Sequence, residues 1–256
     1  MTNETIASLK GKIVLVTGAT RGLGYEIAKQ LGLCGAQVIT GSRDSGRATA
    51  VASDLKGLGI TVSALRLDVT NEDDRHGAFT AIDDTYGKLD ILINNAGVLL
   101  DSVDAGVPAK WRPSETPVNV LRETFEANFF APVLLTQKLL PLLKRSAAGR
   151  IVNLSSIRGS LTHLSNPDSP VYPGHALAYD SSKVALNAFT VLLGEELRDT
   201  SIKINAIHPG WLRTEMGGNN ADLSAEEGAR TVLQYACLED DGPTAGYFFR
   251  DESLPW

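Results

Sequence analysis

The chain has few of the residues that build metal sites, disulfide frameworks or membrane spans. Its 256 residues include only two cysteines, Cys34 and Cys237, and four histidines, His76, His163, His175 and His208, with no shared ligand spacing. Neither a disulfide framework nor a metal site is therefore expected. No apolar run approaches the roughly 20 residues that cross a bilayer as a helix. The opening "MTNETIASLKGK" is polar and lacks the apolar centre of a secretory leader. Positive charge is not in excess: 24 Lys and Arg against 30 Asp and Glu leave a formal net charge of −6, the wrong sign for a general nucleic-acid binder. Internal repeats and low-complexity tracts are missing too. These absences point to a soluble, cytoplasmic protein without nucleic-acid or membrane partners. A chain of this length buries about three quarters of its unfolded surface and needs no staple.

What is present is an alternation. Six short runs rich in Val, Ile and Leu, "KIVLVTG", "AQVITGS", "TVSALRLDV", "LDILINNAG", "GRIVNLSS" and "IKINAIHPG", are nearly continuous in apolar residues. Continuous runs suit strands covered on both faces. Segments of helical period lie between them, with Leu23, Ile27 and Leu31 at steps of four over 22–34, and Val184, Phe189, Leu192, Leu193 and Leu197 toward one side of 182–197. The pattern predicts an α/β fold, a Rossmann-type doubly wound parallel sheet with helices on both faces. No composition shift divides the chain, so one domain is expected over 1–256, with irregular insertions near 98–120 and 157–178.

The first strand runs into "VTGATRGLG". Gly18 permits a tight turn, Gly22 admits a pyrophosphate to the backbone, and Gly24 lets helix pack on strand. Thr20, Arg21 and the amides near Gly22 and Leu23 complete a phosphate-binding loop at a helix start. After the second strand, "TGSRDSGR" offers Arg43 where a cofactor with a free 2′-hydroxyl usually meets Asp or Glu. A guanidinium there suits a 2′-phosphate, and Arg21 adds a second cation nearby. NADP(H) is expected over NAD(H), with the adjacent Asp44 as the competing group.

The ordered motifs "TGATRGLG", "LDV", "NNAG", "NFF", "SS", "YDSSK" and "HPGWLRT" resemble the short-chain dehydrogenase/reductase family from about Lys12 to Thr214. The tail "GPTAGYFF" and the terminal "LPW" look like its carbonyl reductase branch. The resemblance implies that Asp68 and Val69 flank the adenine and that Asn95, Ala96 and Gly97 line the adenosine side. It implies that Asn128 holds a water leading from Lys183 and that Ser156 binds a substrate carbonyl oxygen. Pro209, Gly210 and Thr214 are implied around the nicotinamide. Read alone, Asp68 also fits a cap for the helix starting near "TNEDD".

Tyr179 and Lys183 stand four apart in "AYDSSKVALNAF", which stacks them on one helical face. A free phenol titrates near pH 10, and a neighbouring ammonium favours its ionised form. The expected catalytic set is Asn128, Ser156, Tyr179 and Lys183. Tyr179 is the general acid or base, and Lys183 lowers its pKa while binding the nicotinamide ribose, so both also count as cofactor-binding. The expected substrate is a small, hydrophobic ketone, aldehyde or alcohol. Val98, Leu99, Ile157, Arg158, Tyr172, His175, Trp211 and Met216 are candidates to line its pocket, with Arg158 read as facing solvent. Segment 157–178 is read as a flap or wall over the substrate that obstructs the helix face of family oligomers, so monomer and homo-oligomer both stay open. An imine reductase on the same fold and a non-catalytic NADP-binding sensor are the alternative functions.

Overall fold

A computed structural model describes residues 8–256; the opening stretch 1–7, part of the polar start read above as no leader, lies outside the described residues. Eight strands form one sheet in the order β3-β2-β1-β4-β5-β6-β7-β8. They are β1 Ile13–Thr17, β2 Gln37–Ser42, β3 Val62–Arg66, β4 Ile91–Asn94, β5 Arg150–Leu154, β6 Lys203–Ile207, β7 Gly246–Phe249 and β8 Glu252–Ser253. All neighbouring pairs are parallel except β7 with β8. The helices are α1 Gly22–Leu33, α2 Ser45–Gly57, α3 Glu72–Tyr86, α4 Val118–Phe125, α5 Ala131–Leu143, α6 Leu161–Ser165, α7 Leu177–Glu196 and α8 Ala225–Ala236.

The apolar runs become strands because successive side chains enter opposite cores. Val14 and Val16 of β1 and Ile91 and Ile93 of β4 meet Ile27 and Leu31 of α1 and Val232 of α8. Leu15 and Leu92 face the other way, onto Ile82 of α3, Leu135 and Leu139 of α5 and Leu193 of α7. Strand order reverses between β1 and β4, the position where doubly wound sheets open a crevice at the strands' carboxyl ends.

Three sequence expectations need correction. β3 is an edge strand whose Ala64 and Arg66 are exposed, so it is not covered on both faces. β7 and β8 were not among the six expected strands, since "GYFF" and "ES" are too short to show a period. In α7 the buried side is set by Tyr179, Ser182, Lys183, Leu186, Asn187, Thr190 and Leu193, while Leu192 is 71% exposed. Polar side chains take the inner face there because β5 and the residue after it offer them partners: Asn153 Nδ2 donates to Thr190 Oγ1 (2.9 Å), and Ser155 Oγ to Asn187 Oδ1 (2.6 Å).

Away from the crevice, buried Asp90 staples the opposite end of the sheet. It accepts from Ile13 N (2.8 Å), Lys88 Nζ (3.0 Å) and Ser146 Oγ (2.6 Å). Burial pushes its carboxyl up, but these donors outweigh it and hold the pKa below the usual range. A depressed folded pKa contributes stability above the unfolded value, and that contribution fades as pH falls below about 4. Asp90→Ala strands three donors and is expected to cost about 3 kcal/mol at pH 7. Urea unfolding at pH 7 and pH 3.5 checks both the loss and its shrinkage in acid.

Candidate active site

The crevice begins at the glycine loop. Gly18 and Gly22 hold φ of +64° and +52°, a left-handed backbone open to glycine at no steric cost. A Cβ on Gly24 would lie 2.3 Å from the Gly18 carbonyl and 2.6 Å from Asn95 Nδ2, so helix and loop touch there. Helix α1 starts without a side-chain cap, which leaves its first amides available to an anion. The loop is braced by a residue the sequence reading passed over. Thr17 Oγ1 accepts from Asn95 N (2.9 Å) and Ala96 N (3.0 Å) and donates to Ile93 O (3.2 Å). Asn95 Nδ2 returns to Thr17 O at 2.8 Å, so its amide supports the loop.

The sheet's outer half places the adenosine candidates together. Arg43, exposed at the end of β2, lies near enough to Asp68 to act on its charge. Burial pushes the Asp68 carboxyl up, but two hydrogen bonds from Thr70, with Arg43 and Arg66, bring it below the ordinary range. Asp68 does not cap the following helix; Asn71 does, through Asp74 N at 2.9 Å. Asp44 is likewise occupied, capping α2 through Arg47 N (3.0 Å) and pairing with the Arg47 guanidinium at 3.5 Å. Arg21 is ion-paired with Glu215, so the second cation expected at the phosphate leans toward the loop after β6. Val69 accepts from Arg75 Nη1 through its carbonyl (2.8 Å).

That loop closes the crevice from the other side. Gly210 takes φ +95° after Pro209, and Thr214 Cγ2 stands 3.3 Å from where a Gly22 Cβ would be. Thr214 Oγ1 accepts from Gly217 N (3.2 Å), while Trp211 Nε1 donates to Gly217 O (2.7 Å). Trp211 is thus part of the loop's own packing, with Gly106 against its ring.

At the inner end, α7 brings Tyr179 and Lys183 to the edge of β5. Lys183 is 6% exposed; its Nζ donates to Leu154 O at 2.8 Å and stands 5.6 Å from the centre of the Tyr179 ring. Burial lowers the Lys183 pKa to about 8, which leaves it mostly protonated at neutrality. Tyr179 contradicts the expected direction. Burial pushes its pKa up to about 12, because desolving the phenolate outweighs help from the Ser156 hydroxyl and the Arg158 guanidinium, while Asp180 and Asp101 push the same way as burial. The side chain is a proton donor in this state. Ser156 is held by its backbone: its carbonyl accepts from the Tyr247 hydroxyl, and its Oγ accepts from Arg158 N at 3.3 Å.

Asn128 occupies a π-helical turn, Glu126–Phe130, between α4 and α5. Its amide is engaged with protein: Nδ2 donates to Val98 O (2.9 Å) and Ser182 Oγ (3.1 Å), and Oδ1 accepts from Val98 N (2.8 Å). The side chain therefore ties the segment after Gly97 to α7. Gly97 stays small because a Cβ would be 3.0 Å from Asn128 Oδ1 and 3.8 Å from Lys183 Nζ. Arg158 is 9% exposed, not solvent-facing; it pairs with Asp180 at 3.5 Å and donates to Gly174 O, anchoring the 157–178 segment onto α7. Tyr172 and His175 pack edge to face, 5.1 Å between ring centres.

A family model described as short chain dehydrogenase matches residues 12–224. The chain belongs to that family. Among curated proteins, this family member is 31% identical to salutaridine reductase of Papaver bracteatum over 94% of both chains. It is 32% identical to (-)-isopiperitenone reductase of Mentha piperita, covering 95% of this chain and 98% of that one. Among solved structures, the NADPH-bound carbonyl reductase from chicken fatty liver superimposes with a TM-score of 0.83 at 28% identity, over 97% of this chain and 100% of the other. Among the described residues no cluster of His, Cys, Asp or Glu could hold a metal ion, and no helix is long and apolar enough to cross a membrane.

Proposed function

We propose that this short-chain dehydrogenase is an NADP(H)-dependent reductase of ketones or aldehydes, running also in reverse, with Tyr179 as general acid/base. The observation that carries the reading is the convergence of buried Lys183, buried Tyr179 and the Ser156 hydroxyl at the end of β5, beside Gly97. The cofactor fits this chain: α1 opens with free amides, Gly24 leaves no room for a side chain, and Arg43 stands exposed while Asp44 is occupied. Gly18, Thr20, Arg21, Gly22, Leu23, Gly24, Arg43, Asp68, Val69, Asn95, Ala96, Gly97, Pro209, Gly210 and Thr214 would hold it, with Tyr179 and Lys183 at the nicotinamide end.

When bound, NADPH supplies the hydride. Tyr179 gives its phenolic proton to the carbonyl oxygen, so that the carbonyl becomes an alcohol and the phenol a phenolate. Ser156 donates to the same oxygen as negative charge builds on it. Lys183 stabilises the phenolate that results. Asn128 keeps α7 and the segment after Gly97 in one frame. Val98, Leu99, Ile157 and Met216 give the rim an apolar bias that suits a hydrophobic ketone. A reducing, cytoplasmic setting agrees with the two free cysteines.

The test is NADPH consumption, with NADH alongside, across ketones, aldehydes and cyclic imines. Turnover of carbonyl compounds with NADPH is the expected result. Tight NADPH binding without turnover of any compound would favour a sensor, and turnover confined to the imines would replace the substrate class.

A further inference from the structure

Helix α7 carries the proposed acid in its first turn; Asp180 reaches back to Ala176 N at 3.0 Å, but no neighbouring side chain takes the amides of that turn. Ala176, at the N-cap, offers no side-chain hydrogen bond. By contrast α2, α3 and α8 are capped by the residues immediately before them, Asp44, Asn71 and Ser224. The orphan amides of α7 go instead to Asp101, far away in the chain: its Oδ2 accepts from Ala178 N (2.7 Å) and Tyr179 N (3.2 Å). These are the two amides that an N-cap side chain would ordinarily take.

Asp101 is 1% exposed, and its Oδ1 is buried without a hydrogen-bond partner. Burying a carboxylate this way costs desolvation, partly offset by the positive end of α7. The residue also belongs to the loop that follows "NNAG". Its carbonyl accepts from Lys110 N (2.8 Å), and further along that loop Ala105 N donates to Met216 O (2.8 Å) on the segment after β6. Asp101 thus joins the loop beside the substrate cleft to the backbone of Tyr179 itself.

We propose that Asp101 is a positioning residue for the reduction: through the amides of Ala178 and Tyr179 it fixes the first turn of α7, and hence the Tyr179 hydroxyl. The inference rests on the reductase reading given above. The groups facing Tyr179 are Ser156 and Arg158 from the segment after β5, Asp180 and Lys183 from α7, Tyr247 from β7, and Asp101. His175, just before α7, acts on the neighbouring Asp180. Of the two carboxylates, Asp180 is already paired with Arg158, leaving Asp101 as the one that bonds the Tyr179 amide.

The experiment compares wild type, Asp101→Ala and Asp101→Asn. Turnover in the alanine variant is expected to fall about tenfold with the NADPH dissociation constant unchanged, and the asparagine variant, which keeps an acceptor for the two amides, to recover most of it. In both variants the alkaline limb of the turnover profile should move to lower pH, since removing a carboxylate that raises the Tyr179 pKa favours the phenolate. A role confined to stability leaves that limb in place. Amide exchange at Ala178 and Tyr179, read by NMR or mass spectrometry, should quicken in Asp101→Ala and not in Asp101→Asn. Wild-type-like turnover with an unmoved limb in Asp101→Ala overturns the proposal. If wild type reduces nothing, the reductase reading falls first, and unchanged exchange in Asp101→Ala then removes the cap as well. Should the alanine variant fail to fold, an unmoved limb in Asp101→Asn is sufficient to overturn it.

Discussion

Tyr179→Phe is expected to lower turnover at least about 10²-fold while leaving NADPH affinity near that of the unaltered protein. The loss is that of a proton donor held against the reacting oxygen, and a hundredfold corresponds to about 2.7 kcal/mol of barrier. Phenylalanine keeps the ring that lies under Lys183 at 5.6 Å, so packing of the first turn of α7 and the Lys183 bond to Leu154 O survive. The hydroxyl alone is removed. The structure sharpens the sense of the effect: without cofactor, burial raises the Tyr179 pKa to about 12, so the group enters the reaction as an acid. Steady-state kinetics with a fluorescence titration of NADPH separates the two quantities. Turnover within a few-fold of wild type would remove Tyr179 from the chemistry.

Arg43→Ala is expected to weaken NADPH binding by about 30–100-fold and NADH binding by no more than about twofold. A charge-assisted contact to a phosphate contributes roughly 1.5–3 kcal/mol, and the upper part of that range sets the expected ratio. NADH lacks the 2′-phosphate and so has nothing to lose at this position. Asp44 does not offset the change, because its carboxylate caps α2 and pairs with Arg47. Paired titrations of both cofactors decide the matter; equal losses would make Arg43 a bystander and reopen the choice of cofactor.

Much of this site lies within short stretches of chain. The glycine loop, Arg43, the serine pair and the Tyr179–Lys183 pair are each written within a few residues, where a turn, a strand end or one helical repeat brings the partners together. The helix of Tyr179 and Lys183 appeared as expected, with the i, i+4 stacking intact. The reading failed where partners come from afar. Arg158 looked like a solvent-facing loop residue because Asp180 and Gly174, which bury it, belong to other turns of the chain. The ties of Asn128 to Val98 and Ser182, 30 and 54 positions away, were likewise invisible locally. Thr17 and Asp101 gave no local signal at all.

The sequence by itself determined the α/β alternation, the glycine loop and the pairing of Tyr179 with Lys183 on one helix face, since strand and helix periods and i, i+4 stacking depend only on near neighbours. The tertiary structure alone decided the electrostatic state of the site. Whether Tyr179 is acid or base at rest, whether Asp44 is free to compete with Arg43, and what caps α7 all depend on burial and on charges brought together through folding. Desolvation acts on a group according to everything packed around it, and no local stretch of sequence contains that surrounding.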